Sequence, residues 1–307
     1  MSMFYSEGDL YNTAKNKTAL KSINTLTEAM KNRQILEARA VVCTNDHDLL
    51  VDLGFTRGII PRTECAIGIA DGSTRDIAII SRVNKAVCFV VTEIKENDDG
   101  SFTPYLSRRI AQEICTDEYI SHLIPGDVIP CKITHFEPFG AFVDIGCGVI
   151  ALLPIDQISI SRINNPSERF NIGENIMAIV KDYDSLGRIS LTHKELLGTW
   201  EENTREFNIG ETVGGIVRSV ESYGIFIELT PNLAGLAEPF DGVKPGQYAS
   251  VYIKNMVPEK MKIKLVLVDA FDADYQKPKP RYYIDDKHID YWKYSPDEAK
   301  KVIETIF

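Results

Sequence analysis

The chain has 307 residues, of which 44% are hydrophobic and 25% are charged, and its formal net charge is −10. Such a composition is typical of a soluble globular protein of two or three domains. No run approaches the roughly 18 apolar residues of a membrane span, and the N-terminus lacks the apolar core of a signal peptide, so we predict a cytoplasmic protein with no membrane partner. The acidic balance argues against attraction to nucleic acid by charge alone.

Catalytic and metal-binding patterns are missing from the sequence. The six cysteines are widely spaced without a Cys-x-x-Cys pair, which favours reduced, mostly buried thiols over disulfides or a zinc site. The five histidines are also far apart, and there is no Gly-rich phosphate loop, no Gly-x-Ser-x-Gly and no His-Glu-x-x-His. We therefore predict a protein that is not an enzyme and has no cofactor, no metal and no small-molecule substrate.

The N-terminal segment, residues 1–34, is predicted to be a polar, mobile tail over residues 1–17 and then a helix. From residue 24 to residue 34 apolar side chains fall at helical spacing, with Asn24 as a plausible N-cap. Two interpretations of this helix remain open, because it could pack on the next domain or dock a partner.

A first β-rich unit is predicted at residues 35–110, with strands that include residues 49–53 and 77–80 and a turn at residues 58–61. A helical connector at residues 111–124, within a helix that starts near Ser107, leads to the next unit.

The hydrophobic period is two from Lys132 onward, which predicts two short antiparallel strands joined by a turn that requires Gly140. Alternation directs Phe142 away from the buried side of its strand, and Phe139 stands beside the turn. These two rings share an outward face with Lys132 and, later in the chain, Arg188. Together they indicate a stacking platform for nucleic-acid bases.

The chain repeats itself at a shift of 84 residues, which places residues 139–144 on residues 223–228. The order aromatic, glycine, small or apolar, Phe, β-branched, acid recurs without a gap, and Tyr223 and Phe226 take the places of the two phenylalanines. A weaker copy lies in the first unit at a shift of 92, where the strand pattern survives and the two rings do not.

The two repeated units are placed at residues 125–197 and 208–270. One further segment separates them and another follows the second unit. Residues 198–207 read as a short ordered linker with Trp200 packed between domains. Residues 271–307 begin with an extended linker at 277–280 and continue as an aromatic-rich segment that most simply folds back onto the neighbouring barrel. A helix is predicted from Ser295, because serine, proline and glutamate stand at its N-cap, first turn and third position.

Three all-β units of five short strands each suit small Greek-key barrels of the oligonucleotide-binding (OB) kind. The predicted fold is therefore all-β, with three tandem OB-fold barrels and helical additions at both ends. The middle unit resembles the S1 RNA-binding domain family of ribosomal protein S1 along its whole length. This resemblance rests on Pro125-Gly126-Asp127, on residues 139–144 at the hairpin, on Leu152-Leu153-Pro154, and on residues 184–192 with Lys194. The whole chain is similar to a short, three-domain relative of the kind found in Firmicutes.

The resemblance implies that RNA is bound by two hairpin aromatics, a histidine in the third strand, and an Asp and an Arg near the last hairpin. Pro154 and Glu238 replace that histidine in the middle and third units. The implied RNA-binding residues in this chain are Phe139, Phe142, Asp184 and Arg188 in the middle unit, and Tyr223, Phe226 and Lys262 in the third. Lys132, His135 and Lys264 are added as cations or ring contacts near the platforms, and Arg162 and Arg169 as candidate contacts to the RNA backbone.

Each assignment has an alternative that the residues leave open. The rings could lie in an interface between strands or domains, Asp184 and Arg188 could form a hairpin ion pair without a ligand, and His135 could be an ordinary loop residue. The two candidate backbone arginines could simply be solvated.

The predicted function is non-catalytic binding of single-stranded RNA, namely mRNA, in translation at the small ribosomal subunit, with residues 1–110 docking to the subunit. The alternative is a protein-interaction scaffold whose barrels have lost RNA binding. The acidic charge and the substituted contact positions favour that alternative.

Overall fold

The computed structural model describes residues 4–185, 187–273, 277 and 279–307. The described residues form three closed barrels and a two-stranded sheet, which confirms the prediction of three all-β units. The barrels contain β1 (Leu36–Cys43), β2 (Leu49–Asp52), β3 (Arg57–Ile60), β4 (Ala86–Glu96), β5 (Phe102–Ser107), β6 (Val128–Glu137), β7 (Gly140–Asp144), β8 (Ile150–Pro154), β9 (Asn175–Tyr183), β10 (Ile189–Thr192), β11 (Thr212–Glu221), β12 (Gly224–Thr230), β13 (Leu233–Ala237), β14 (Tyr248–Val257) and β15 (Lys262–Phe271).

The chain divides into two compact units, Met1–Leu123 with Asp144–Ile150, and Ile124–Val143 with Ala151–Phe307. The first barrel, in strand order β1-β2-β3-β5-β4, lies in the first unit. The helices of the first unit are α1 (Ala14–Ala19), α2 (Ile23–Lys31), α3 (Ile77–Ile80) and α4 (Arg108–Glu118). Helix α4 confirms the predicted connector and is capped by the Ser107 hydroxyl, which accepts from the amide of Ile110.

Helix α2 packs on the first barrel. Its Leu26 and Ala29 belong to the buried cluster that includes Leu36 and Phe89 of the strands. Its N-cap is Ser22 and not Asn24. The apolar face of this helix is therefore used within its own unit, as the first of the two interpretations expected.

The prediction of a mobile tail over residues 1–17 is wrong for the residues that the structure describes; residues 1–3 lie outside them. Glu7 is buried, and the Arg108 Nε donates to its Oε1 at 2.6 Å while Arg82 Nη1 donates to its Oε2 at 3.0 Å. Burial alone would raise the pKa of Glu7, but the charge and hydrogen bonds of Arg108 outweigh burial and hold that pKa well below its usual range. The segment is held in place because Glu7 pairs with Arg82 and Arg108, which lie far along the chain.

Two local predictions in the first unit are also wrong. Residues 77–80 form α3 and not a strand, with the amide of Ile80 donating to the carbonyl of Asp76. Residues 58–60 lie in β3 and not in a turn. A Cβ at Gly58 would lie 2.6 Å from a Leu106 methyl, so this glycine lies in a tightly packed strand and not in a turn.

The second unit holds the middle barrel, in order β10-β8-β7-β6-β9, and the third barrel, in order β11-β12-β13-β15-β14. Helix α5 (Trp200–Thr204) lies in the predicted linker between them. Trp200 is buried as predicted, although its buried neighbours belong to the core cluster of the third barrel. Asn232 joins the barrels, because its Nδ2 donates to the carbonyls of Lys194 and Gly198 at 2.7 and 2.8 Å.

The C-terminal helix predicted from Ser295 is wrong. The segment forms a two-stranded sheet of β16 (Tyr291–Lys293) and β17 (Glu304–Ile306). The Ser295 hydroxyl closes the loop between these strands, accepting from the amide of Ile303 and donating to the carbonyl of Lys301, both at 2.8 Å. Trp292 is buried against the third barrel, which confirms the predicted return of the aromatic segment. Of the predicted linker at 277–280, Pro278 lies outside the described residues.

Candidate nucleic-acid interface

The predicted hairpins are present in both the middle and the third barrel. Strands β6 and β7 are joined by residues 138–139, and β11 and β12 by residues 222–223. The glycine after each turn lies against a neighbouring backbone, since a Cβ at Gly140 would be 2.5 Å from the carbonyl oxygen of Leu153 and one at Gly224 would be 2.6 Å from that of Ala237. The glycine of the repeat is therefore fixed by close strand packing in both copies.

The four rings of these hairpins lie outside the barrel interiors. Phe139 is 54% exposed and Tyr223 is 65% exposed, while Phe142 and Phe226 are half-buried at outward positions of their strands. The two rings of the middle hairpin meet edge to face, with centroids 6.0 Å apart and planes at 84°. Those of the third barrel meet at 6.2 Å and 87°. We name each ring pair a platform; the two have nearly the same geometry.

His135 lies beside the middle platform. Its ring is stacked on that of Phe142, with centroids 4.4 Å apart and planes at 8°. Thr134 supports the arrangement by donating to the carbonyl of Phe142 at 2.8 Å. His135 is therefore a strand residue whose exposed ring adds to the aromatic surface of the hairpin, and not an ordinary loop residue.

The lysines take positions beside the platforms. In the third barrel Phe226 pairs in register with Leu236, and Leu236 pairs with Lys264, so ring and cation lie on one outer face two strands apart. Lys262 is the preceding outward residue of the same strand. Lys132 lies on β6, partly exposed.

Asp184 and Arg188 bracket the turn between β9 and β10; Leu186 of this turn lies outside the described residues. The Arg188 Nε donates to Asp184 Oδ2 at 2.6 Å, and the side chain of Arg188 is nonetheless 73% exposed. An exposed ion pair contributes at most about 1 kcal/mol. Asp184 therefore orients the guanidinium of Arg188, and replacing Asp184 by a phosphate as its partner would cost little free energy. The pair is compatible with both interpretations left open by the sequence.

The prediction that Arg169 contacts an RNA backbone is contradicted by the burial of its side chain, whereas Arg162 is exposed and its contact with RNA stays a prediction. The Arg169 guanidinium is 8% exposed and donates to Glu228 at 2.7 and 2.5 Å. Arg218 donates to the same carboxylate at 2.8 and 2.9 Å and to Glu168 at 2.5 Å. Burial alone would raise the pKa of Glu228, but the hydrogen bonds and charges of the two arginines outweigh it and hold that pKa below its ordinary value.

This ion cluster, Glu168, Arg169, Arg218 and Glu228, was not predicted as a unit from the sequence. Its one sequence signal is that Glu228 stands at the acidic end of the repeated motif.

Other site classes find no support in the described part of the chain. No helix there is long and apolar enough to cross a membrane. Among the same residues, no group of three or more His, Cys, Asp or Glu side chains is arranged to hold a metal ion.

Comparison with known proteins relates the middle barrel to a protein family. Residues 123–194 match the profile of the S1 RNA binding domain. The middle barrel is thus similar to the S1 RNA-binding domain over its whole length, and we call it the S1 domain. The match covers the platform, His135, Asp184 and Arg188, and it confirms the resemblance noted in the sequence.

Most of the chain is also similar to proteins named small ribosomal subunit protein bS1. The protein of Staphylococcus aureus (strain COL) is 28% identical over 262 residues, covering 80% of this chain and 64% of the relative. That of Staphylococcus saprophyticus is 29% identical over 263 residues, with the same coverage. The chain thus spans 64% of the length of these relatives.

Among solved structures, a multidomain protein with nucleic acid binding domains from Streptococcus pneumoniae aligns with 77% of this chain and 74% of its own. The identity is 13% and the TM-score 0.25, which supports no functional conclusion. The S1 domain match itself ends before the third barrel, whose platform is therefore assigned only by the internal repeat.

Proposed function

We propose that this protein binds single-stranded RNA by stacking bases on the platforms of the S1 domain and the third barrel. The observation that carries the proposal is the recurrence of one exposed ring arrangement, edge to face at 6.0 and 6.2 Å, at equivalent hairpins. If the rings served only to pack strands or domains together, nothing would require the same geometry at two exposed hairpins. Stacking on aromatic rings contributes about 1–3 kcal/mol per base with little sequence preference.

The net charge of −10 is compatible with this function because binding depends on the local potential beside the rings. Lys262 and Lys264 lie on the platform side of the third barrel, and Arg188 projects from the S1 domain. Each phosphate contact adds a salt-dependent contribution, so we expect a modest salt dependence on top of a stacking energy that salt does not screen.

The biological setting that we propose is mRNA binding in translation, in the cytoplasm, at the small ribosomal subunit. The support comes from the relatives, which are named as small ribosomal subunit proteins. The first barrel has no ring platform, and Ile67, Ile77 and Ile80 are exposed on it. We assign docking to the subunit to this barrel, and we assign no catalytic step to the protein.

Titration of fluorescein-labelled oligouridylate with the full chain, at several salt concentrations, tests the proposal. The double variant Phe142→Ala with Phe226→Ala removes one ring from each platform. It should weaken binding by about 2–6 kcal/mol if each ring stacks one base. The exposed Phe55 of the first barrel provides the control, because Phe55→Ala removes an accessible ring that belongs to no platform. Equal affinities for the double variant and the wild type would refute the proposal.

The second candidate is a scaffold that docks proteins and no longer binds RNA. It is favoured by the pairing of Arg188 with Asp184 and by Pro154 and Glu238 at the position where the family carries a histidine. Titration with oligouridylate at low salt separates the two functions, because both predict that the full chain co-sediments with nuclease-treated small ribosomal subunits. A scaffold remains bound after nuclease treatment and binds no oligouridylate at low salt.

The docking role of the first barrel needs a variant that leaves the fold intact. Deletion of residues 1–34 is unsuitable, because Glu7 and Leu26 are buried in the first unit. Ile77→Asp with Ile80→Asp changes only exposed side chains. This variant should lose co-sedimentation and keep its affinity for oligouridylate.

A further inference from the structure

The outer face of β14 and β15 in the third barrel is exposed at positions where the equivalent residues of β9 and β10 in the S1 domain are buried. Tyr252 pairs with Thr212 and with Val266, and the equivalent residue of the S1 domain, Ile179, pairs with Val128 and with Thr192. The equivalence is fixed by the repeat, since Thr212 lies 84 residues after Val128. Ile179 and Thr192 are both fully buried, at 0% exposure.

In the third barrel the same pair of positions is open. Tyr252 is 40% exposed and Val266 is 43% exposed. The next outward residue of β15, Val268, is also exposed, and farther along Phe271 stacks on Tyr248 with centroids 6.0 Å apart and planes at 23°. The two copies of one barrel thus differ at this pair of positions, where only the third barrel exposes its side chains.

Lysines accompany these apolar residues. Lys254 is the outward residue of β14 after Tyr252, and Lys262 and Lys264 are outward residues of β15 before Val266. The side chains of these three lysines make no hydrogen bond or ion pair with the described residues. We name the set Tyr252, Lys254, Lys264 and Val266 the strand face.

The strand face is continuous with the platform of the third barrel. Phe226, Leu236 and Lys264 are neighbours across three strands, and Val266 is the next outward residue after Lys264. From Lys264 to Val268 the strand advances by about 13 Å at the usual rise per residue. A strand of RNA that lies on the platform therefore has room for further nucleotides along β15.

We propose that the strand face is a second RNA subsite, on which nucleotides beyond those held by the platform stack on Tyr252 and place their phosphates near Lys254 and Lys264. Lysine is depleted in the cores of protein–protein interfaces, whereas alternating lysines and aromatic rings are the usual lining of single-strand channels. This subsite rests on the proposed function, since it extends the strand that the platform holds.

The test uses the full chain with Phe139→Ala and Phe142→Ala, so that binding reports on the third barrel. Oligouridylates of about 5 and about 15 nucleotides are compared, within the range of site sizes of single OB folds. Tyr252→Ala should weaken binding of the longer RNA by about tenfold and leave that of the shorter one unchanged. Tyr11→Ala is the matched control, because Tyr11 in the first unit is 39% exposed.

Val266→Glu and Val266→Lys separate the effect of charge from that of altered packing. The glutamate should weaken binding of the longer RNA, and the lysine should leave it unchanged or strengthen it.

Equal losses with both residues, equal losses for short and long RNA, or no loss in any variant would overturn the subsite. A change of oligomeric state in sedimentation velocity, with RNA affinity unchanged, would also overturn it and would assign the face to self-association. Failure of both RNAs to bind in this background before Tyr252 is changed would refute RNA binding by the third barrel, and the subsite with it, whereas failure of the wild-type chain to bind either RNA would refute the proposed function itself.

Discussion

Glu228→Gln is predicted to destabilise the second unit strongly. The carboxylate is 4% exposed and accepts four hydrogen bonds from Arg169 and Arg218, with a fifth from the hydroxyl of Ser161 at 2.6 Å. Removing one partner of a buried ion pair costs about 3–5 kcal/mol, because the other charge stays buried without compensation. Since Glu168 still pairs with Arg218 in the variant, we expect the lower end of that range.

A loss of about 3 kcal/mol corresponds to a fall in Tm of about 6–12 °C for a unit of this size. Differential scanning calorimetry of the full chain measures it, and urea unfolding gives the free energy. Glu221→Gln is the matched control, because Glu221 is an exposed acid of the same barrel. A variant within about 1 kcal/mol of the wild type, or equal to that control, would refute the stabilising role assigned to the pairing of Glu228 with Arg169 and Arg218.

The pH dependence of this effect has a defined sign. The pKa of Glu228 is lowered in the folded state, so its contribution is fully present above the ordinary glutamate pKa and is lost as pH falls through the lowered value. The difference between wild type and Glu228→Gln should therefore shrink on acidification. A difference that grows toward low pH would contradict the pairing.

Further predictions concern single residues of the second unit. Burial lowers the pKa of His193 to about 4, so unfolding should become easier as pH falls from 6.5 toward 4, by about 3 kcal/mol in all, and urea titrations of His193→Phe should lack that slope. Gly140→Ala places a methyl 2.5 Å from a backbone oxygen and should cost about 1–3 kcal/mol in thermal unfolding, whereas Gly214→Ala, whose nearest contact would be 3.4 Å, should cost much less. Arg188→Gln should lower the slope of log affinity against log salt by about 0.7 without changing Tm, and Arg169→Gln should lower Tm; the reverse pattern would contradict their assigned roles.

The hairpins and their platforms could be predicted from the sequence because their determinants are local. Alternation of period two, a glycine at a fixed place and two rings beside it lie within a few residues, and they occur twice. The structure places Phe139 and Tyr223 on the surface and explains the glycine by its approach to Leu153 in one barrel and Ala237 in the other. Their role in RNA binding stays a prediction.

The errors at Arg169 and in the N-terminal segment have a different cause, which is pairing over long distances in the chain. Arg169 and Glu228 are 59 residues apart, and Glu7 and Arg108 are 101 residues apart. No local pattern marks such partners, so Arg169 reads as a solvated cation and residue 7 as part of a polar tail. Ser295 carries a helix-start signal, yet its hydroxyl bonds within a strand loop whose neighbour Trp292 is buried in the third barrel. Tertiary burial thus overrides local helix propensity at that end of the chain.

The central claim, that unpaired bases lie against the hairpin rings, is tested most directly by fluorescence. The two native tryptophans, Trp200 and Trp292, are buried, so a tryptophan introduced at Phe139 or Tyr223 reports on the platform surface. Saturable quenching of Phe139→Trp and Tyr223→Trp by oligouridylate, with no change in Phe55→Trp, is the predicted result. Unchanged emission at both platform positions while RNA is bound, or equal quenching at position 55, would contradict the claim.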